Sequence, residues 1–115
     1  MRVVGESMEP ALRSGDLVLV NERSYQSRAP QRGELVAARP AACGGKALVK
    51  RIAGVPHDQL GVDGRRWQLA EDQFFLLGDQ PDHSRDSRSF GPVHRDELIG
   101  PIVRRVWPRP KAVAK

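Results

Sequence analysis

The chain contains few of the residues on which small secreted domains depend. Cys43 is the one cysteine among 115 residues, so an intrachain disulfide is excluded. A domain of this length buries enough apolar surface to fold without disulfides. The stretch AACGG around Cys43 offers no neighbour that would lower a thiol pKa, which indicates a loop cysteine rather than a nucleophile. We therefore expect a single domain whose chemistry does not use a thiol.

Long hydrophobic runs are also missing. The longest, LVLV at 17–20 and FFLL at 74–77, are far shorter than the ~20 residues needed to span a bilayer. The first residues also lack the basic and apolar pattern of a secretory signal. We expect a cytoplasmic protein if the chain is complete, and a membrane-associated one if an anchoring segment precedes it in a longer protein.

Aromatic residues are scarce, whereas basic residues are abundant. Nineteen Lys and Arg against 14 Asp and Glu give a net charge of +5, which permits contact with an acidic partner or an anionic membrane surface. Six aromatic residues (two Trp, one Tyr and three Phe) are spread over the chain and no nucleic-acid-binding motif is present, so no nucleic-acid partner is expected. The basic residues at 109–115 favour a flexible, solvated tail after a domain at 1–108.

Short apolar segments bounded by Gly, Pro or Asp predict β-strands. They are LVLVN (17–21), ELVAAR (34–39), KALVKRIAG (46–54), FFLLGD (74–79) and ELIGPIVRRVW (97–107). Asp63-Gly64 between two apolar-bearing arms predicts a β-hairpin. Pro101 cannot donate to a ladder, so the last segment is expected to be an edge strand or two strands joined at a kink. The predicted fold is mainly β, with antiparallel sheets folded into a partly closed barrel and little helix.

Ser7, in GESMEP at 5–10, is the first candidate for chemistry. A serine before a proline and a helical turn can be simply an N-cap. A Ser-His-Asp triad is not supported, because the sequence has no GxSxG elbow and His57, His83 and His94 lie in segments typical of loops.

Lys50 is the second candidate. In a strand over 47–53, alternation puts Lys50 on one face with Leu48 and Ile52. Burial there would lower the lysine pKa and suit a general base near neutral pH. The alternative is a surface strand whose lysine extends to water. Arg51, on the other face, is expected to be structural.

The polar stretch GDQPDHSRDSRSFGP at 78–92 is the third candidate. Its carboxylates miss the spacing of a calcium loop, so metal binding is not expected. Asp86 and Arg88 are two residues apart and can pair to fix the segment, while Ser84 presents its hydroxyl inward. A solvated turn is the simpler alternative.

Together these stretches resemble the successive motifs of the type I signal peptidase family, a group of serine endopeptidases, and the resemblance runs from about Val4 to Pro108. The motifs are GESMEPALRSGDLVLV (5–20), LVKRIAGVPHD (48–58), LLGDQPDHSRDSRSFGPV (76–93) and IGPIVRRVWP (99–108). The resemblance implies a catalytic domain at 1–108 that cleaves a signal or leader peptide from a precursor protein. In its short form the chain resembles the compact, anchorless relatives of this family, including proteases proposed to trim the leader from nickel-type superoxide dismutase.

The resemblance also implies a role for particular residues. Ser7 would be the nucleophile and Lys50 the general base, with no cofactor and no metal. Ser84 would orient the lysine amine, Asp86 and Arg88 would hold the loop, and Met8 would shape the region beside the nucleophile.

The sequence departs from the family pattern at several positions. Gly5 lies where some members carry a hydroxyl residue that binds the oxyanion, so the Ser7 N–H is expected to contribute and the second donor is open. Gln80 replaces the usual Asn and His57 lies where Gly is common, so loop geometry is expected to differ there. Two alternatives stay open: an inactive peptide-binding module with the same fold, and a self-cleaving repressor-type domain. The second is disfavoured because six residues precede Ser7.

Overall fold

The computed structural model describes residues 1–80 and 85–113, and within these ranges the chain is mainly β. The strands are β1 Leu17–Val20, β2 Leu35–Ala38, β3 Leu48–Gly54, β4 Gln59–Val62, β5 Arg65–Gln68, β6 Gln73–Leu77, β7 Val93–His94, β8 Leu98–Trp107 and β9 Lys111–Ala112. One helical turn, α1 Ser87–Phe90, and 3₁₀ turns at Ser24–Gln26, Ala41–Cys43 and Arg95–Glu97 complete the regular structure. The five apolar segments predicted as strands all form them.

The strands build a curled half-barrel in which every pairing is antiparallel. The strand order is β1-β8-β2-β3-β6-β7, with β9 added to β8. The mainly-β fold with little helix is therefore confirmed. No helix within the described ranges is long and apolar enough to cross a membrane.

Strands β2 and β3 lie in the middle of the sheet, and apolar side chains cover both of their faces. Leu35 and Ala37 belong to one buried cluster and Val36 and Ala38 to the other, as alternation along a strand requires. The first cluster also contains Val3, Met8, Leu12, Val18, Val49 and Ile102. The second contains Ile52, Phe74, Leu76, Val93 and Leu98.

The hairpin predicted at Asp63-Gly64 is confirmed. Strands β4 and β5 form a separate two-stranded sheet, and Asp63 (φ 51°) and Gly64 (φ 76°) both have the positive φ of a type I′ turn. The ring of Trp67 lies 5.0 Å from that of Phe75, and this contact docks the hairpin onto β6.

Of the two expectations for the segment with Pro101, the edge strand is wrong, and in place of two strands there is one strand, Leu98–Trp107, that changes its partner. Pro101 lies inside β8, which runs between β1 and β2. Residues up to Pro101 pair with β2, and those from Ile102 onward pair with β1. The proline is tolerated because it falls where the strand changes partner, and its carbonyl accepts a hydrogen bond from the Asn21 N–H at 3.0 Å.

Residues 111–113 of the basic C-terminal segment lie against the sheet. Lys111 and Ala112, in the segment expected to be a flexible tail, pair with Arg105 and Arg104 of β8. Val113 packs against the first apolar cluster, and this contact holds the segment on the sheet. The division into a domain at 1–108 and a tail at 109–115 stays a prediction.

Candidate active site

The side chains of Ser7 and Lys50 meet inside the protein, although 43 residues separate them. Lys50 Nζ donates a hydrogen bond to Ser7 Oγ at 2.8 Å. Ser7 is 7% exposed and Lys50 is 4% exposed, so little water reaches either group. A hydroxyl and an amine in direct contact away from solvent can exchange a proton.

Lys50 is 4% exposed, and the turn that carries Ser7 lies against the face of β3 from which its side chain projects. Strand β3 lies between β2 and β6, and Lys50 pairs with Val36 of β2. The alternative of a surface lysine reaching to water is thereby excluded. Arg51, which points to the other face, forms a two-bond ion pair with Asp79 at 2.9 and 3.0 Å and donates to the Gly33 carbonyl, in agreement with a structural role.

The surroundings of Lys50 lower its pKa. Burial is the largest cause, because an ammonium group loses its hydration there. The Asp86 carboxylate acts in the opposite direction, the Arg88 guanidinium lowers the pKa again, and Cys43 opposes with a smaller influence. The balance favours the neutral amine at a lower pH than for an exposed lysine.

Ser7 lies in a tight turn between the N-terminal segment and β1. Leu12 N–H donates to the Met8 carbonyl at 3.0 Å, so the helical turn expected after the serine is present. Met8 is fully buried in the first apolar cluster, next to Leu12. Gly5 has φ +89°, in the left-handed region that glycine enters without strain, and its N–H donates to Ser14 Oγ.

Gln80 holds the turn that carries Ser7. Its backbone N–H donates to the Ser7 carbonyl at 2.7 Å, and its side-chain Nε2 donates to the Glu9 carbonyl at 2.8 Å. In the sequence Gln80 is notable only because it replaces the usual Asn, and these contacts were not predicted. The feature that could have indicated a role in the site is the position of Gln80 within the third sequence motif, 76–93.

Asp86 and Arg88 form the predicted pair. Arg88 Nε and Nη2 donate to the two Asp86 oxygens at 2.9 and 2.6 Å. Asp86, which is 1% exposed, also accepts from the Gly78 N–H at 3.0 Å and from the Arg88 N–H at the start of α1. Arg88 reaches Asp63 at the tip of the hairpin as well, at 3.6 Å.

Other expected site residues have different outcomes. Ser84 and His83 lie outside the described residues. Cys43, expected in a loop, lies in the 3₁₀ turn Ala41–Cys43 between β2 and β3, and it is buried. Ser87, which sequence analysis missed, is fully buried and its Oγ accepts from the Leu76 N–H at 2.9 Å. Within residues 1–80 and 85–113, no group of three or more His, Cys, Asp or Glu side chains could hold a metal ion.

The family model for "Signal peptidase, peptidase S26" matches residues 1–68 and 57–107 of the chain. The chain therefore belongs to this family. It is 31% identical to a probable signal peptidase I-2 of Synechocystis over 137 residues, covering 95% of this chain and 63% of that protein. It is 33% identical to the mitochondrial ATP-independent inner membrane protease subunit 1b of Arabidopsis thaliana over 113 residues, covering 90% of this chain and 67% of that protein.

A third relative is the mitochondrial inner membrane protease subunit 2 of Danio rerio, at 32% identity over 93% of this chain and 63% of that protein. The chain thus spans about two thirds of the length of these relatives. The matched segments contain Ser7, Lys50, Asp86 and Arg88, so the residues brought together in the fold lie in the part shared with the family.

Proposed function

We propose that the protein is a serine endopeptidase that removes an N-terminal signal or leader peptide from a precursor protein. Ser7 is the nucleophile and Lys50 is the general base. The observation that carries the proposal is the buried contact of 2.8 Å between Lys50 Nζ and Ser7 Oγ. Membership of the peptidase S26 family supports the reaction class and the precursor substrate.

The reaction begins with Lys50 in its neutral form. The amine takes the Ser7 hydroxyl proton as Oγ attacks the carbonyl carbon of the substrate. The resulting ammonium then gives the proton to the leaving amine, and the acyl-enzyme remains. Lys50 next takes a proton from a water molecule that attacks the ester and gives it to Ser7 Oγ as the acyl group leaves, so that the Ser7 hydroxyl and the neutral amine are regenerated. The two residues supply the nucleophile and the base, so no cofactor enters the reaction.

The neighbouring residues have supporting roles. The Ser7 N–H binds the oxyanion that forms during attack, and no second donor is assigned. Asp86 and Arg88 fix the segment beside Lys50 and set the charge around its amine. Met8 shapes the region next to the nucleophile. Ser84 orients the lysine amine, as the resemblance implies.

We also propose that the protein contacts a membrane surface peripherally. Leu19, Val106 and Trp107 are exposed on the paired strands β1 and β8. Arg104, the pairing partner of Leu19, and Arg109 are exposed cations of the same region. Apolar side chains with adjacent cations suit an anionic lipid surface. A cytoplasmic location without this contact is the alternative.

The experiment is labelling of the folded protein with a serine-directed acylating probe, followed by peptide mapping. We expect wild type to be labelled at Ser7 and Ser7→Ala to remain unlabelled. Lys50→Met should slow labelling by on the order of 10²- to 10⁴-fold, because the general base is lost. Ser27→Ala and Lys46→Met change the same residue types at exposed positions and should label like wild type.

Two results would contradict the proposal. A folded wild-type protein without label at Ser7 would favour the inactive peptide-binding module. Labelling of Lys50→Met at the wild-type rate would remove Lys50 from the mechanism. Cleavage of a secretory precursor compared with a cytoplasmic leader-bearing precursor then distinguishes the substrate types.

A further inference from the structure

Three consecutive residues after β6 connect the segments that carry Ser7 and Lys50. Gly78 N–H donates to Asp86 Oδ2, and Asp79 pairs with Arg51, the neighbour of Lys50 on β3. Gln80 donates to the carbonyls on both sides of Met8, those of Ser7 and Glu9. The segment 78–80 is therefore attached at one end to the strand of the base and at the other to the turn of the nucleophile.

The two hydrogen bonds from Gln80 bear on the direction of the Ser7 side chain. The carbonyl of Ser7 fixes the peptide plane that follows the nucleophile, and the carbonyl of Glu9 fixes the turn two residues later. The turn's internal bonds, Glu9 N–H to the Glu6 carbonyl and Leu12 N–H to the Met8 carbonyl, lie within the turn itself. They shape the turn without attaching it to β3. The hydrogen bonds from Gln80 attach the turn to segment 78–80, which is itself joined to β3 by the Asp79–Arg51 pair.

We infer that Gln80 is a positioning residue, whose side-chain amide holds the 5–12 turn so that Ser7 Oγ stays within hydrogen-bonding distance of Lys50 Nζ. This inference rests on the proposed function. Displacement of a reacting atom by about 1 Å can lower a rate by two orders of magnitude. Loss of the single hydrogen bond from the Gln80 side chain to the turn is therefore expected to slow acylation.

The test compares two substitutions that keep the size of the side chain. Gln80→Met removes the donor, and Gln80→Glu removes it and places a carboxylate against the Glu9 carbonyl. Gln68→Met makes the same change at an exposed position on the β4–β5 hairpin and is the matched control. The measured quantities are the fraction of molecules labelled by the acylating probe at completion and the acylation rate constant per labelled site. The rate is taken on the high-pH plateau, so that a change in the Lys50 pKa does not contribute.

We expect all variants to reach the wild-type labelled fraction. The rate constant should fall about tenfold in Gln80→Met, as for the loss of one hydrogen bond, and further in Gln80→Glu. Gln68→Met should keep the wild-type rate. A residue that only fills space would leave the rate of Gln80→Met unchanged, and this result would overturn the inference. A lower labelled fraction with an unchanged rate per site would overturn it as well, because it indicates a stability role alone.

Two further controls separate the possible failures. If Gln80→Met does not fold, Gln80→Asn replaces it, because it withdraws the amide by one carbon–carbon bond, about 1.5 Å, and should also slow acylation. If wild type is not labelled at Ser7, the proposed function fails. If wild type is labelled and the Gln80 variants match it, the inference alone fails.

Discussion

Lys50 is influenced by two neighbouring charges of opposite sign. The Asp86 carboxylate stabilises the ammonium form and raises the lysine pKa, whereas the Arg88 guanidinium repels it and lowers the pKa. Asp86 and Arg88 are themselves paired, and their influences on the lysine pKa oppose each other. Burial then dominates and the pKa falls. Substitution of Asp86 and substitution of Arg88 should therefore shift the Lys50 pKa in opposite directions.

The proposed reaction requires a neutral amine, so the acylation rate should rise with pH through the Lys50 pKa. Asp86→Asn removes the charge that raises this pKa, and the rising limb should move to lower pH. Arg88→Gln removes the charge that lowers it, and the limb should move to higher pH. The rate of reaction with the acylating probe, measured from pH 6 to 11, gives the midpoint of each pH–rate profile. These midpoints are compared with the pKa of an unperturbed lysine, about 10.4.

Lys46→Met is the control in this experiment and should leave the midpoint unchanged, because Lys46 is exposed. Equal shifts in the same direction for Asp86→Asn and Arg88→Gln would contradict the electrostatic account. Such a result would indicate a general loosening of the segment around α1 instead.

Ser7, Lys50, Asp86 and Arg88 are candidate site residues on the sequence alone, but the burial of Lys50 could not be predicted from it. Alternation along a strand gives the face on which a side chain lies, and it does not tell whether other strands cover that face. The turn that carries Ser7 lies against this face of β3, and that contact joins residues 43 positions apart in the chain. The contacts of Gln80 were missed for the same reason, since they join residues 71 to 73 positions apart.

At the scale of elements, β8 links the two halves of the sheet at Gly100 and Pro101. A Cβ atom at Gly100 would overlap with the carbonyl oxygen of Asn21, which is backbone and cannot move aside. We expect Gly100→Ala to lower the free energy of unfolding by about 1–3 kcal/mol, the usual cost of overpacking. Urea unfolding should show a lower midpoint with an unchanged slope.

Gly61→Ala is the matched control for Gly100→Ala. Gly61 also lies in a strand, and a Cβ there would meet no atom within 4 Å. This variant should be as stable as wild type or slightly more so, since alanine has less conformational freedom to lose than glycine. Equal stability of the two variants would contradict the close approach of β8 to Asn21.

The extents of the strands were predictable because each segment is apolar, short and bounded by Gly, Pro or Asp. The Asp63-Gly64 turn was predictable because few sequences adopt two consecutive positive φ values. Pro101 misled the prediction, since a strand that changes partner in its middle has the same local sequence as an edge strand. The partner change is a property of the sheet and not of the segment.

At the scale of the whole molecule, the exposed apolar residues of β1 and β8 predict binding to anionic lipid. We expect the protein to sediment with vesicles containing phosphatidylserine and to be released as salt is raised, because the neighbouring arginines are screened. The double variant Val106→Ser with Trp107→Ser should bind at least about tenfold more weakly, because each buried apolar side chain contributes about 1.5–3 kcal/mol.

Val62→Ser, on the separate hairpin, makes the same type of change away from this surface and should bind like wild type. Wild-type affinity of the double variant would contradict the membrane surface. That result would favour the alternative, a cytoplasmic location without contact with a membrane.

The mainly-β fold could be predicted at this scale, and so could the family, from four motifs in order. The strand order β1-β8-β2-β3-β6-β7 could not, because neighbouring strands in the sheet are mostly not neighbours in the chain. That order brings residue 7 and residue 50 together.

The most direct test of the account is the titration of the Lys50 amine, followed by NMR through the carbon next to the nitrogen. The chain has four lysines, and Lys50→Met assigns the signal. The account predicts that Lys50 loses its proton below the ordinary lysine value of 10.5, because burial lowers its pKa. Titration of Lys50 at or above 10.5 would contradict it, since an amine that stays charged cannot take the Ser7 proton.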